Sequence, residues 1–191
     1  MTLMESRNSR NALRMNGRID TKMYDTEQLR ASVDDYDSLS KQEKLDLVRS
    51  STPVYEDTVH NVTTDALHEY FVRNLDPDNT NTEANVSVSH LALGDDGASG
   101  TNSADTGLNN QVYAEAVTDV ADNGKSLLAS TFIDSTEANG TTVDELGLFS
   151  GDPANTANPE VFLMNHATFS PVTKDNSKTV TFDVTLTFSD A

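Results

Sequence analysis

The chain has 191 residues, with 13 Lys and Arg against 31 Asp and Glu, a formal net charge of −18. That balance excludes nonspecific binding to nucleic acid, which needs a surplus of Lys and Arg against phosphate, and it disfavours an anionic membrane surface. The absence of cysteine rules out disulfides and thiolate chemistry, and neither a membrane-length apolar run nor a leader-like h-region after Met1 is found.

Residues 1–60 show no strand alternation. Asp25-x-x-Gln28 predicts the opening of a short helix carrying Leu29 and Val33. Ser40-x-x-Glu43 is a capping-box pattern, and it predicts a second helix with Leu45 and Val48 on one face. Isolated helices below about 12 residues are marginal, so these must pack on the body or on another subunit. Pro53 ends the segment. The first 30 residues are the only net-positive stretch, with six basic residues (Arg7, Arg10, Arg14, Arg18, Lys22 and Arg30) against four acidic ones. A weakly basic stretch ahead of a strongly acidic body suggests docking on an acidic surface. Residues 1–60 are therefore expected to be an N-terminal helical arm for attachment and oligomerisation, and residues 61–191 a β domain with a leading helix.

That leading helix is predicted from Thr64 or Asp65, with Ala66, Leu67, Tyr70 and Phe71 recurring on one face. Asp78 to Asn85 reads as a polar loop. Strands are then expected at 86–93, 112–120, 126–133, 143–149, 160–169 and 179–188. Asp95–Thr106 is a Gly/Ser/Asp/Asn-rich loop, and Asn123-Gly124 marks a hairpin. The last strand alternates cleanly. Val180, Phe182, Val184, Leu186 and Phe188 share a core face, while Thr179, Thr181, Asp183, Thr185 and Thr187 share a face turned to water. The expected fold is mainly β, a small antiparallel β-sandwich with the helical arm in front.

The acidity has a pattern of its own. Asp (21) outnumbers Glu (10), Thr reaches 23 and Lys only 6. A lysine-poor, acidic surface suits very high salt, where the Debye length falls to about 3 Å and self-repulsion is screened. A halophilic origin is the expectation.

Candidate chemistry is sparse. His60, His68, His90 and His166 show no metal-ligand spacing and read as surface or interface residues. No Gly-x-Ser-x-Gly elbow and no phosphate-cradling glycine loop occurs. Asp76-Pro77-Asp78-Asn79 has the oxygen density of a calcium loop but lacks the EF-hand glycine and glutamate. Glycosylation patterns begin at Asn61, Asn85 and Asn139, near chance in a chain this rich in Asn and Thr. No catalytic, cofactor or metal residues are assigned, and the chain is expected to be non-enzymatic.

The C-terminal half carries a resemblance. The segments Leu91-Ala92-Leu93-Gly94, Asp105 to Tyr113, Val143-Asp144-Glu145-Leu146-Gly147-Leu148-Phe149 and Phe162 to Lys174 occur in that order. The series resembles a domain of tailed-virus structural proteins, of the tail-fibre or baseplate kind, over about residues 62–190. On that resemblance Gly94, Leu108, Glu145, Gly147, Phe149, Phe169 and Pro171 are structural positions of the motif. Gln111 stands where Glu is frequent, Ala114-Glu115 where basic residues are frequent, and His166 where Arg is common, which puts in doubt any salt bridge built there. The resemblance implies a virion subunit with no cofactor, placed in the baseplate or fibre-attachment region or as a capsid decoration (a turret). Its implied partners are other virion proteins and copies of itself, with a host surface glycan or S-layer as a further contact. The competing reading is a carbohydrate- or surface-binding β-sandwich module of a halophilic cell-surface protein. It is weakened by the lack of Trp and by the core-like positions of the β-region aromatics.

Overall fold

The computed structural model describes residues 13–75, 87–155, 157–158 and 161–190. Within these, nine strands form one antiparallel sheet. They are β1 (Leu13–Asp25), β2 (Tyr55–Thr63), β3 (His90–Gly94), β4 (Gln111–Ala116), β5 (Asp119–Asp122), β6 (Ser126–Ile133), β7 (Thr141–Phe149), β8 (Leu163–Lys174) and β9 (Lys178–Asp190). Their spatial order is β4-β3-β7-β8-β2-β1-β9-β6-β5. The described helices are α1 (Thr26–Ser32), α2 (Lys41–Arg49) and α3 (Asp65–Leu75), with single 3-10 turns at Tyr36–Ser38 and Gly97–Ser99.

The sheet curls back on itself at two places. β2 pairs with β1 through residues 55–61 and with β8 only through Val62 and Thr63. On the other side, the two edge strands β4 and β5 are separated in sequence by Val117 and Thr118 alone. Val117 N–H donates to Ser89 O ahead of β3, and Thr118 N–H donates to Ser130 O on β6. The strand expected at 112–120 is thus two strands serving opposite halves. The main apolar core lies between them. Ile19 and Met23 of β1, Leu91 and Leu93 of β3, Leu146 and Leu148 of β7, and Val180, Phe182, Val184 and Leu186 of β9 all belong to it. The rings of Phe169 and Phe182 meet across it at 6.1 Å, although their strands are not neighbours.

The strandless arm expected over residues 1–60 is corrected for the described residues. β1 lies between β2 and β9, and its pairing with β9 runs from Leu13↔Asp190 to Asp25↔Lys178. The inward row of β1 is Met15, Gly17, Ile19, Thr21 and Met23, and that of β2 is Tyr55, Asp57, Val59 and Asn61. Gly, Thr, Asp and Asn dilute the apolar period there, so the alternation is hidden until the pairing is known. The two short helices form where expected, except that α1 ends at Ser32 and leaves Val33 in extended backbone beyond it. The Asp25 carboxylate caps α1 by accepting from Glu27 and Gln28 N–H, and Ser40 and Glu43 make the full capping box of α2. They pack on the body. Leu29, Tyr36, Leu45 and Val48 form a second apolar cluster with Tyr24 of β1 and Phe132 of β6. This buries Thr179 and Thr181 on the face of β9 expected to meet water.

A third, smaller cluster of Ala92, Phe149 and Leu163, with Leu108 against it, lies on the outer side of β3, β7 and β8. Gly147 sits beneath it. A Cβ there would stand 2.6 Å from Leu163 Cδ1 and 2.8 Å from Leu108 Cδ2. Gly147→Val is expected to cost more than the roughly 1 kcal/mol of an average substitution, measured by urea unfolding; an unchanged midpoint would show that the cluster gives way freely. Pro171 occupies the register shift of β8, where Thr168 pairs with Glu145 and Val172 with Val143. At such a bulge the missing N–H breaks no ladder bond.

Candidate functional site: a buried histidine between two carboxylates

Five of the seven motif positions, Gly94, Leu108, Glu145, Gly147 and Phe149, converge on the outer side of β3 and β7. Gly94 pairs with Glu145 across these strands. A Cβ on Gly94 would fall 2.2 Å from Glu145 Oε2 and 2.8 Å from Asn110 O, so only glycine leaves room for the carboxylate. Glu145 accepts from Asn109 N–H at 2.5 Å and from Asn110 N–H at 3.4 Å. Leu108 and Phe149 pack beside it over Gly147. Phe169 and Pro171 lie farther along β8, in the main core and at the bulge.

His166 completes the cluster. Its Nε2 lies 2.7 Å from Glu145 Oε1 and its Nδ1 2.6 Å from Asp105 Oδ2. The side chains of His166 and Glu145 are fully buried, and that of Asp105 is 25% exposed. The reading of His166 as a surface or interface residue is corrected. From the sequence any salt bridge at this position was in doubt, and the structure places both ring nitrogens against carboxylates. The loop that supplies Asp105 is fastened elsewhere too. Gly97 N–H donates to Asp144 Oδ1 at 2.7 Å, and Asp65 N–H, at the start of α3, donates to Ser103 O at 2.7 Å.

The arrangement is a structural clamp. The two imidazole nitrogens point in opposite directions, so their acceptors do not converge on one ion. Among the described residues no group of three or more His, Asp or Glu is placed to hold a metal. Removing His166 leaves the fully buried Glu145 side chain without one of its hydrogen-bond partners, typically at a cost of about 1–3 kcal/mol or more. The other histidines are engaged differently: His60 is exposed, His68 bonds Thr63 Oγ1 and His90 bonds Ser89 Oγ.

The basic residues of the N-terminal stretch do not form a patch in the described part. Arg7 and Arg10 lie outside the described residues, and Arg14 is placed only by its backbone in β1. Arg18 pairs with Asp20 at 2.7 Å, Lys22 with Glu56 at 3.6 Å and Arg30 with Asp37 at 2.9 Å. The oxygen-rich 76–79 stretch also lies outside the described residues.

Ion pairs hold α2 to β4 and to the loop after β6, the Lys44–Asp134 pair largely buried. Lys41 Nζ lies 3.0 Å from Glu115 and 2.7 Å from Glu137, and Lys44 Nζ lies 2.6 Å from Asp134. Burial by itself pushes the Asp134 carboxyl up, but the Lys44 ammonium and the Ser135 N–H outweigh it and hold it below the usual carboxylate value. Burial likewise raises Glu115, and the Tyr113 hydroxyl and Lys41 reverse it. A depressed carboxyl contributes stability above its unfolded value that is lost as pH falls through its folded one. Acidification below about pH 4 is therefore expected to loosen α2 in the wild type. Asp134→Asn should unfold more weakly with acid, and an identical acid profile for the two proteins would exclude this pair as the cause.

An apolar recess of about 600 Å³ opens between α3 and the ends of β1, β8 and β9, lined by Met15, Leu67, Tyr70, Phe71, Met164 and Phe188 among others. No helix among the described residues is long and apolar enough to cross a membrane. Comparison with protein families, with curated proteins and with solved structures finds no match to this chain. The class that the fold and the clamp define is a mainly β protein of one curled antiparallel sheet.

Proposed function

We propose that this chain is a non-enzymatic structural subunit of a tailed-virus particle, adapted to high salt, serving either in the baseplate or fibre-attachment region of the tail or as a capsid decoration. In this reading the curled sheet is a sandwich of two halves joined by β2 and by the β4–β5 link. One observation carries the proposal. The four segments that resemble tailed-virus structural proteins, although spread from Leu91 to Lys174, fall on β3, on the loop that leads into β4 and the start of β4, on β7 and on β8, in a sheet whose order there is β4-β3-β7-β8. Five of their seven key positions lie at or beside the Gly94–Glu145–His166 cluster, and His166 takes a carboxylate-facing place where the resemblance has Arg. Its partners are other virion proteins and further copies of itself. The test is mass spectrometry of purified particles from the source culture, with antibody labelling to place the subunit on tail or head. Absence of the protein from particles would end this reading.

Salt adaptation is supported by the surface charge. Arg18, Lys22, Arg30, Lys41, Lys44, Arg49 and Lys178 each lie within ion-pair distance of a carboxylate of the same chain, and the acidic excess of 18 charges remains. The Debye length shrinks from about 10 Å at 0.1 M to about 3 Å at 1 M. The melting temperature is expected to rise steeply from about 0.1 M to molar KCl; a flat profile would remove the halophilic part of the proposal.

A further inference from the structure

We propose that Asp105, His166 and Glu145 form a proton-dependent latch, which holds the 105–110 end of the 95–110 loop on β7 and β8 while the His166 ring carries hydrogen on both nitrogens and releases that end when one hydrogen is lost. Each ring nitrogen faces a carboxylate oxygen, at 2.6 Å on Asp105 and 2.7 Å on Glu145. Ionised carboxylates only accept, so satisfying both contacts takes two N–H donors, the doubly protonated ring. Loss of either hydrogen sets a nitrogen lone pair against an oxygen. The ring and Glu145 are fully buried, so no solvent replaces the lost bond.

The loop is the part that yields. Glu145 and His166 sit on paired strands, with Gly147 opposite His166, whereas Asp105 lies on the loop and is partly exposed. Glu145 also receives the Asn109 and Asn110 N–H groups, so a change at the ring reaches the end of the loop that enters β4. Other titratable groups on the surrounding elements are engaged elsewhere. On β7, Asp144 accepts from Gly97 N–H; after β3, Asp95 accepts from the Asn110 side chain and Asp96 from Ser99; on α3, His68 bonds Thr63. The sign follows from the proton count. The latch is closed on the acid side and opens as pH rises. The Gly97–Asp144 and Asp65–Ser103 bonds persist, so the 105–110 end loosens while the fold remains.

The experiment is a nitrogen-15 NMR titration of the full chain in molar KCl, from about pH 6 to about pH 10, a range that starts near the ordinary imidazole value. The Asn109 and Asn110 amide signals are expected to shift together, with the same midpoint as the His166 ring nitrogens, while the Val184 amide stays in place. Loop amides that move no more than Val184, or with a midpoint different from the ring, would overturn the latch. His166→Gln should abolish the coupled shift, and its persistence in that variant would equally overturn it. Should His166→Gln fail to fold, the wild-type coincidence of midpoints decides.

Discussion

Deleting residues 1–60 is expected to abolish folding, while deleting residues 1–12 leaves a folded protein. The first truncation removes β1 from between β2 and β9, together with most of β2, and leaves β9 without one of its two partners. It also removes Ile19 and Met23 from the main core and Tyr24, Leu29, Tyr36, Leu45 and Val48 from the second cluster. At about 1.5–3 kcal/mol per large buried apolar side chain, the loss is on the order of 10 kcal/mol or more, as large as the whole stability of a typical domain. The shorter truncation removes none of these groups. Circular dichroism and size-exclusion chromatography in molar salt distinguish the cases. A soluble, monomeric, β-rich 61–191 fragment would show that β1 is dispensable and would restore residues 1–60 as a separable arm.

The second large effect concerns β9, whose two faces meet different neighbours along its length. Phe182 is 1% exposed in the main core and Thr181 is 2% exposed on the opposite face. Thr185 lies on the same face as Thr181 but is half-buried, between Arg18 of β1 and Leu128 of β6. Phe182→Asp places an unpaired charge in the main core, and Thr181→Asp places one in a sealed site whose facing Lys22 is already engaged by Glu56; each is expected to cost more than about 4 kcal/mol. Thr185→Asp has water on one side and the Arg18 guanidinium in the facing position, so its effect should stay within about 0.5 kcal/mol, the range of surface substitutions. Urea unfolding of the three variants measures this. If Thr181→Asp unfolds at the same midpoint as Thr185→Asp, then α1, the 36–38 turn and α2 do not seal that face.

Much of the local structure was written in the chain. The capping box at Ser40 and Glu43, the Asp25 cap, the start of α3 at Thr64 and Asp65, and the core row from Val180 to Leu186 all depend on residues within one turn or on a period of two. Sequence carries such signals directly. The Asn123-Gly124 turn between β5 and β6 is of the same kind. The 95–106 loop was legible from its composition, although its fastening was not.

What the sequence by itself determined was that the protein is acidic, free of cysteine, mainly β in its C-terminal two thirds and helical in short pieces near the front. Only the tertiary structure decided that residues 13–25 are a strand between β2 and β9, because the inward positions Gly17 and Thr21 are acceptable only once their neighbours are known. It also decided that Thr179 and Thr181 are covered, since nothing within β9 records that α1 and α2 fold back over it. The Asp105–His166–Glu145 cluster joins residues 61 and 21 positions apart, and no spacing rule links them. Three ordinary polar residues became a hydrogen-bonded set because a curled sheet brought β7 beside β8 and laid a polar loop on their outer face, where the buried His166 and Glu145 side chains find their partners in one another and in the loop.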